Sequence, residues 1–420
     1  MKKCLTLIAG LFLLLTMSYG QSASDFGVKF SGFVKTDLIW DSRQSVTARE
    51  GHFYLYPLNE KLDNNGKDIN AQPNFNILSI QTRMRVLATG PDVWGAKTSA
   101  FVEGAFFGSV SITINTLRLR HAFVKLAWPQ TQLLAGQFWH PMFNTRNFPG
   151  TVSFNTGAPF QPFSRNPQVR LTQTIGKFNL AVTAMSQRDF LSNGPNGASC
   201  EYLRNSSVPA LNLRFEYFDK YENGNEFLMG LSANYKMLKP RLATPENFIT
   251  DEIAQSGSFT GYLKYKARDV TFKVNGFYGG DAYNLTMLGG YATTALSDSA
   301  GMLEQYDCVR NMSIWSEIHT NGKTWQFGLF GAYSKNLGSP GEIVGTNYSR
   351  GANIDYLYRI SPRLVYNNGN FRIAPEIEYT VAAYATSDQY EDLNIDENGK
   401  VTDSDPVANV RVLLGVYYFF

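Results

Sequence analysis

Residues 116–174 read TLRLRHAFVKLAWPQTQLLAGQFWHPMFNTRNFPGTVSFNTGAPFQPFSRNPQVRLTQT. The first part alternates. Leu117, Leu119, His121 and Phe123 fall on one face, and Arg118, Arg120, Ala122 and Val124 on the other, because strand side chains repeat with period two. Trp128-Pro129-Gln130-Thr131 makes a tight turn, and a second strand begins near Gln132. The segment from His140 to Ser164 is rich in Gly, Pro, Asn and Phe and holds no Asp or Glu. A third strand then carries Arg170 on the same kind of face as Arg118 and Arg120. The pattern predicts two membrane strands of an antiparallel β-barrel, followed by a loop that folds back inside. The arginines are expected to line the space it leaves.

Working outward, Met1 to Gly20 reads as a secretory signal. Lys2 and Lys3 precede an apolar run from Leu5 to Met17, and Ser18-Tyr19-Gly20 supplies the cleavage site. The run falls short of the roughly 20 residues a spanning helix needs. The expected division is a signal peptide over 1–20 and one barrel domain over 21–420. Cys4 lies before the apolar core, which excludes a lipid-attachment role.

Every later hydrophobic run is broken by polar residues within a few positions. The chain has 14% aromatic residues, 36 glycines and a mean hydropathy of -0.22. That balance fits a transmembrane barrel, whose strands keep one polar face. A soluble secreted all-β protein is the alternative. The formal charge is +3, which argues against a nucleic-acid partner. Cys200 and Cys308 remain in the exported part; such a compartment permits a disulfide, and their separation leaves an unpaired state equally open.

Alternation and turn signals give about sixteen strands. The second strand is expected over Asn74–Ala88, with Leu78, Ile80, Thr82, Met84 and Val86 outward and Ser79, Gln81, Arg83 and Arg85 inward. Ala96, Thr98, Ala100 and Gly104 on the third strand are small outward residues that suit close subunit contact. Connections alternate in length. Ser42–Pro73, His140–Ser164, Gln187–Ser207, Leu238–Gly257, Gly280–Gly301, Asn336–Asn353 and Tyr384–Pro406 are long, with Phe107–Ile112 the one shorter exception on that side. Ala127–Thr131, Ile175–Lys177, Asp219–Asn225, Arg268-Asp269, Asn321–Lys323 and Asn367–Asn370 are short. Asn-Gly recurs in three of the short ones, a hairpin signal because primed turns need positive φ. Long loops on one side and tight turns on the other mark an outer-membrane barrel. That setting makes membrane lipid and lipopolysaccharide its expected surroundings. The chain closes on Tyr417-Tyr418-Phe419-Phe420. A terminal aromatic on an amphipathic strand resembles the signal read by the barrel-assembly machinery.

The segment Leu117–Gln137 resembles the trimeric general porins, in Arg120, Ala122, Phe123, Val124 and Leu126 on one strand and Gly136 and Gln137 on the next. The wording RLRHAFVKL…LLAGQFW is most similar to the DcaP-like porins. That resemblance implies a homotrimeric, anion-selective channel associated with dicarboxylic acids. The chain departs from several DcaP-like proteins in having only Gln21–Gly27 ahead of its first strand, where they carry a helical extension.

Strand parity sends Arg83, Arg85, Arg118, Arg120 and Arg170 to the lumen, with Arg146 in the loop and Arg165 just after it. Arg214, Lys264, Lys266, Arg359, Arg363, Arg372, Arg411, Glu103, Glu216, Glu376 and Glu378 share that face. A positive, narrow throat concentrates anions, and guanidinium groups bind carboxylate bidentately. The expectation is passive diffusion of small anionic solutes through an arginine-lined constriction. Each arginine also has a plain alternative, a salt bridge that braces the wall. Long outer loops leave open a second class, a surface-binding barrel of adhesin type without an open channel.

An enzyme is not expected. The histidines are His52, His121, His140 and His319, and none stands in a nucleophile or metal motif. His121, placed outward, suits a subunit interface. Asp388–Asp405 is loosely similar to a calcium loop but lacks the closing Glu. No metal or cofactor is expected.

Overall fold

The computed structural model describes residues 26–108, 110–296 and 304–420. The signal segment lies outside them. Twenty strands occur among the described residues. They are β1 Gly27–Asp41, β2 Ser45–Ala48, β3 Phe53–Pro57, β4 Asn74–Leu78, β5 Arg83–Val93, β6 Ala96–Phe107, β7 Ile114–Ala127, β8 Thr131–Trp139, β9 Arg165–Ile175 and β10 Phe178–Met185. After a short helix α1, Glu201–Asn205, come β11 Ala210–Lys220, β12 Glu226–Leu238, β13 Ala254–Lys266, β14 Val270–Gly280, β15 Gly290–Leu296, β16 Glu304–Thr320, β17 Trp325–Gly338, β18 Ile354–Asn368, β19 Phe371–Ala385 and β20 Ser404–Phe419.

β4 and β5 are two halves of one interrupted wall strand. β2, β3 and β15 belong to loops. The rest close into a 16-strand antiparallel barrel. Closure comes from β1 on β20, from Phe33 opposite Phe419 to Asp41 opposite Arg411. The Phe420 backbone completes the seam by exchanging hydrogen bonds with Gly32. No free sheet edge is left there.

The faces are inverted relative to a soluble protein. On β19, Ile377 and Tyr379 are exposed while Glu376 and Glu378 are buried. On β16, Met312, Ile314 and Ile318 are exposed while Ser313 and Glu317 are buried. Apolar outside and polar inside is the arrangement that hydrocarbon imposes on a spanning barrel.

Two bulges overturn expected side-chain directions. Phe33 pairs with Arg83 and Asp37 with Leu78, so the chain gains one residue between β4 and β5. An extra residue flips the face of everything beyond it. Leu78 and Ile80 therefore point inward, at 6% and 3% exposure, rather than outward. Met84 stays outward. The second bulge lies in β7, where Glu103 opposes His121 and Gly104 opposes Leu119. Arg120 and His121 both face in. Beyond them Val124 is exposed and Phe123 turns from outward to inward. His121 is thus an interior residue, not an interface residue. Ala96, expected outward, is buried at its turn. The cysteines Cys200 and Cys308 are both free.

Two loops fill much of the barrel. The loop after β8 crosses the lumen, its ends joined by His140 N–H to Ser164 carbonyl. Phe143, Val152, Phe154, Phe160 and Phe163 are buried against wall residues including Leu357, Val365 and Leu413. Having no acids of its own, the loop takes them from the wall. Gly150 N–H donates to Glu317 Oε2 at 2.5 Å, and Val152 N–H donates to Glu376. Asn144 Nδ2 donates to Glu216 Oε2 at 2.8 Å. Buried backbone donors require such partners.

The second filling was not apparent in the polar segment Ser42–Pro73. Its β2–β3 hairpin turns into the barrel from the long-loop side. Tyr54 N–H donates to Asn155 Oδ1 of the inward loop at 3.0 Å. Arg359 Nη2 donates to the Leu55 carbonyl at 2.8 Å, and Tyr384 Oη to the Pro57 carbonyl at 2.7 Å.

Candidate functional site

A cavity of about 270 Å³ lies between the inward loop and the bulged part of the wall. Arg83 and Arg85 enter it from β5, Glu103 from β6, and Arg120 and His121 from the β7 bulge. The bulge has a chemical consequence: it sets two successive polar side chains on the inner face. The opposite side is aromatic, formed by Trp139, Phe143, Phe148 and Phe163. Trp139 and Phe143 stack at 3.9 Å and 14°.

Glu103 organises the cationic side. Its Oε2 accepts from Arg85 Nε at 2.6 Å and its Oε1 from Arg120 Nε at 2.6 Å. His121 Nε2 stands 3.9 Å from the same carboxylate. Arg83 pairs with no carboxylate among the described residues; its guanidinium lies 5.3 Å from the centre of the Phe33 ring. Three guanidiniums therefore share one negative charge. Arg85 remains about one-third exposed.

A second cluster sits on the long-loop side. Arg118 and Arg165 both pair with Asp189, Arg165 at 2.6 Å. Arg49, from the tip of the β2–β3 hairpin, lies behind them, stacked 4.4 Å from the Phe107 ring centre. It donates through Nε to the Gly108 carbonyl at 2.7 Å, and neither Nη has a hydrogen-bond partner. Burial opposes ionisation of Asp189, but Arg165, Arg118 and Arg49 prevail and hold it near 2.

The remaining expected site residues fall elsewhere. Arg146 pairs with Glu216 at 2.9 Å and is half exposed. Arg170 donates to the Trp139 carbonyl at 2.8 Å and to Gln168 Oε1 at 2.7 Å. Arg83, Arg85 and Arg120 are thus brought together, Arg118 and Arg165 form their own group, and Arg146 and Arg170 stand apart. Parity also left out several interior charges: buried Lys35, Asp37, Asp41, Lys236 and Glu317, and half-buried Lys273 beside Glu317. Glu317 could have been found, since it shares β16 parity with Ser313. Arg49 gave no signal, because nothing in a polar loop marks its direction.

No family model matches the chain, and no curated protein does. Solved structures do match. The outer membrane channel DcaP of Acinetobacter baumannii is 15% identical with a TM-score of 0.65, covering 95% of this chain and 99% of its own. OmpT of Vibrio cholerae, in a trimer form, is 11% identical with a TM-score of 0.53, covering 94% and 100%. An anion-selective porin from Comamonas acidovorans is 10% identical with a TM-score of 0.53, covering 94% and 100%. At these identities the likeness is one of fold. The chain has the fold of multi-pass outer-membrane β-barrels, and the resemblance to DcaP-like porins holds at that level.

Proposed function

We propose that this barrel is an outer-membrane porin that passes small, dicarboxylate-like anions by diffusion. The observation that carries the reading is one lining carboxylate, Glu103, bound by Arg85 and Arg120, beside a third guanidinium, Arg83, on the same cavity wall. The surplus positive charge stands on largely buried side chains, where it attracts anions more strongly than it would in bulk water. A guanidinium presents paired N–H donors to a carboxylate. The facing aromatic wall offers apolar surface to the solute body. Conduction of this kind makes and breaks no covalent bond, so we read the chain as a channel and not an enzyme.

The fold neighbours named for channel and porin activity support this reading. A trimer form among them supports a homotrimer, as do the small outward residues Thr98, Ala100 and Gly104. Phe420, at the seam, fits the role of assembly signal. The test is planar-bilayer conductance of refolded protein under a KCl gradient. Steps in threes with chloride favoured over potassium support the proposal. Absence of conductance from folded protein would sink it.

One observation favours the second reading, a surface-binding barrel without an open channel. The β2–β3 hairpin and the inward loop together bury Phe53, Tyr54, Phe154 and Phe163 inside the barrel. Conductance separates the two readings directly.

A further inference from the structure

A second basic cavity, of about 400 Å³, opens on the tight-turn side of the inward loop. Thr145 and Phe148 line both this cavity and the arginine-walled one, so the two adjoin across the loop. Its wall comes from the turn ends of β12, β13 and β14. Lys264 and Lys266 share a face of β13, and Lys264 stands directly opposite Lys273 of β14.

The charges there do not balance. Lys264 and Lys266 both reach Glu226, each at 3.2 Å. Lys273 Nζ donates to the Phe148 carbonyl at 3.0 Å and is 3.5 Å from Glu317 Oε1. Glu317 is already engaged by Arg363 at 2.6 Å and by the Gly150 N–H at 2.5 Å. Glu317 also lies behind the lining, fully buried. The cavity surface thus presents three ammoniums against one lining carboxylate, Glu226, while the lining Arg146 is paired with Glu216. Like charges directly opposite on paired strands destabilise a sheet. A counter-anion between Lys264 and Lys273 would remove that cost.

We infer that Lys264, Lys266 and Lys273 form a second anion station, suited to a compact oxyanion of multiple charge such as inorganic phosphate. An ammonium is a point charge with three rotatable donors, without the planar fork of guanidinium. It therefore fits an anion whose oxygens are equivalent and point in several directions. The station's place on a solute path rests on the channel reading; its binding chemistry does not.

The experiment is calorimetric titration of the detergent-solubilised, folded full-length barrel with inorganic phosphate at low ionic strength. Binding is measured without conduction, so failure here and failure of the channel reading are told apart. Wild type is expected to bind phosphate. Lys264→Gln with Lys273→Gln is expected to weaken binding at least tenfold. Glu226→Gln frees two lysines and is expected to tighten binding severalfold, which keeps the test valid if the double variant fails to fold. No binding by wild type overturns the inference. So does a loss under twofold in the folded double variant, or weaker binding in Glu226→Gln. Equal loss from Arg83→Gln with Arg85→Gln also overturns it, because phosphate would then occupy the arginine cavity.

Discussion

Arg120 donates through Nε to Glu103 Oε1 at 2.6 Å at the point where β7 gains a residue over β6. The same carboxylate holds Arg85 at 2.6 Å. Removing its charge while keeping its shape leaves three guanidiniums without a counter-charge. Glu103→Gln is expected to raise the chloride preference in bilayers. It should also cost stability, since breaking a buried ion pair costs roughly 3–5 kcal/mol. A lower urea midpoint together with a more anion-selective zero-current potential is the expected pair of results. An unchanged potential would remove Glu103 from the account.

The hairpin predicts a change in conductance. Arg49 and Glu50 hold φ of 61° and 53° at its tip, a left-handed conformation that costs a non-glycine residue on the order of 1 kcal/mol or more. The strain is sustained by the packing of Tyr54 and Phe53 inside the barrel. Replacing residues 45–57 with a short Gly-Ser linker is expected to raise single-channel conductance at least twofold. Equal conductance would mean that the hairpin stands clear of the path.

Gly136 tests the β7–β8 seam behind the arginine cavity. Its φ is +134°, and a Cβ there would lie 2.2 Å from the Ala122 carbonyl oxygen. Both the conformation and the contact exclude a side chain. Gly136→Ala is expected to lose roughly 1–3 kcal/mol, the scale of a strained backbone position, read as a lower urea midpoint. A midpoint equal to wild type would contradict the geometry.

Acid should weaken the fold through His140. Its Nδ1 accepts the Met142 N–H at 3.2 Å. Burial, then Lys236 and Arg170, lower the imidazole from 6.5 to about 3. Between those values the unfolded chain binds the proton and the folded chain does not. Stability therefore falls as pH drops through that window. Asp189, held near 2 rather than 3.8, adds its loss only below about pH 4 by the same linkage. The unfolding temperature is expected to fall from pH 6.5 to 4, and His140→Asn to flatten that slope. A flat wild-type profile would contradict it.

Barrel, strand count, loop alternation and inward loop were all legible in the sequence, because a membrane forces period-two patterning and tight turns need particular residues. Bulges were not legible. One added residue near Ser79 and another at Arg120 leave composition untouched yet reverse Ile80, His121 and Phe123. The acid-free loop was legible as a loop turned inward. Its docking on Glu216, Glu317 and Glu376 was not, since those partners lie on strands 72, 167 and 224 residues away. Arg49 was missed for the same reason: its site exists only once a distant hairpin is folded into place.

In the proposed channel, arginine charge around Glu103 sets anion preference. The most direct measurement is the zero-current potential of Arg83→Glu with Arg85→Glu against wild type under one KCl gradient. Chloride preference is expected in wild type and reversal to potassium preference in the variant. An identical potential in the two folded proteins would contradict it.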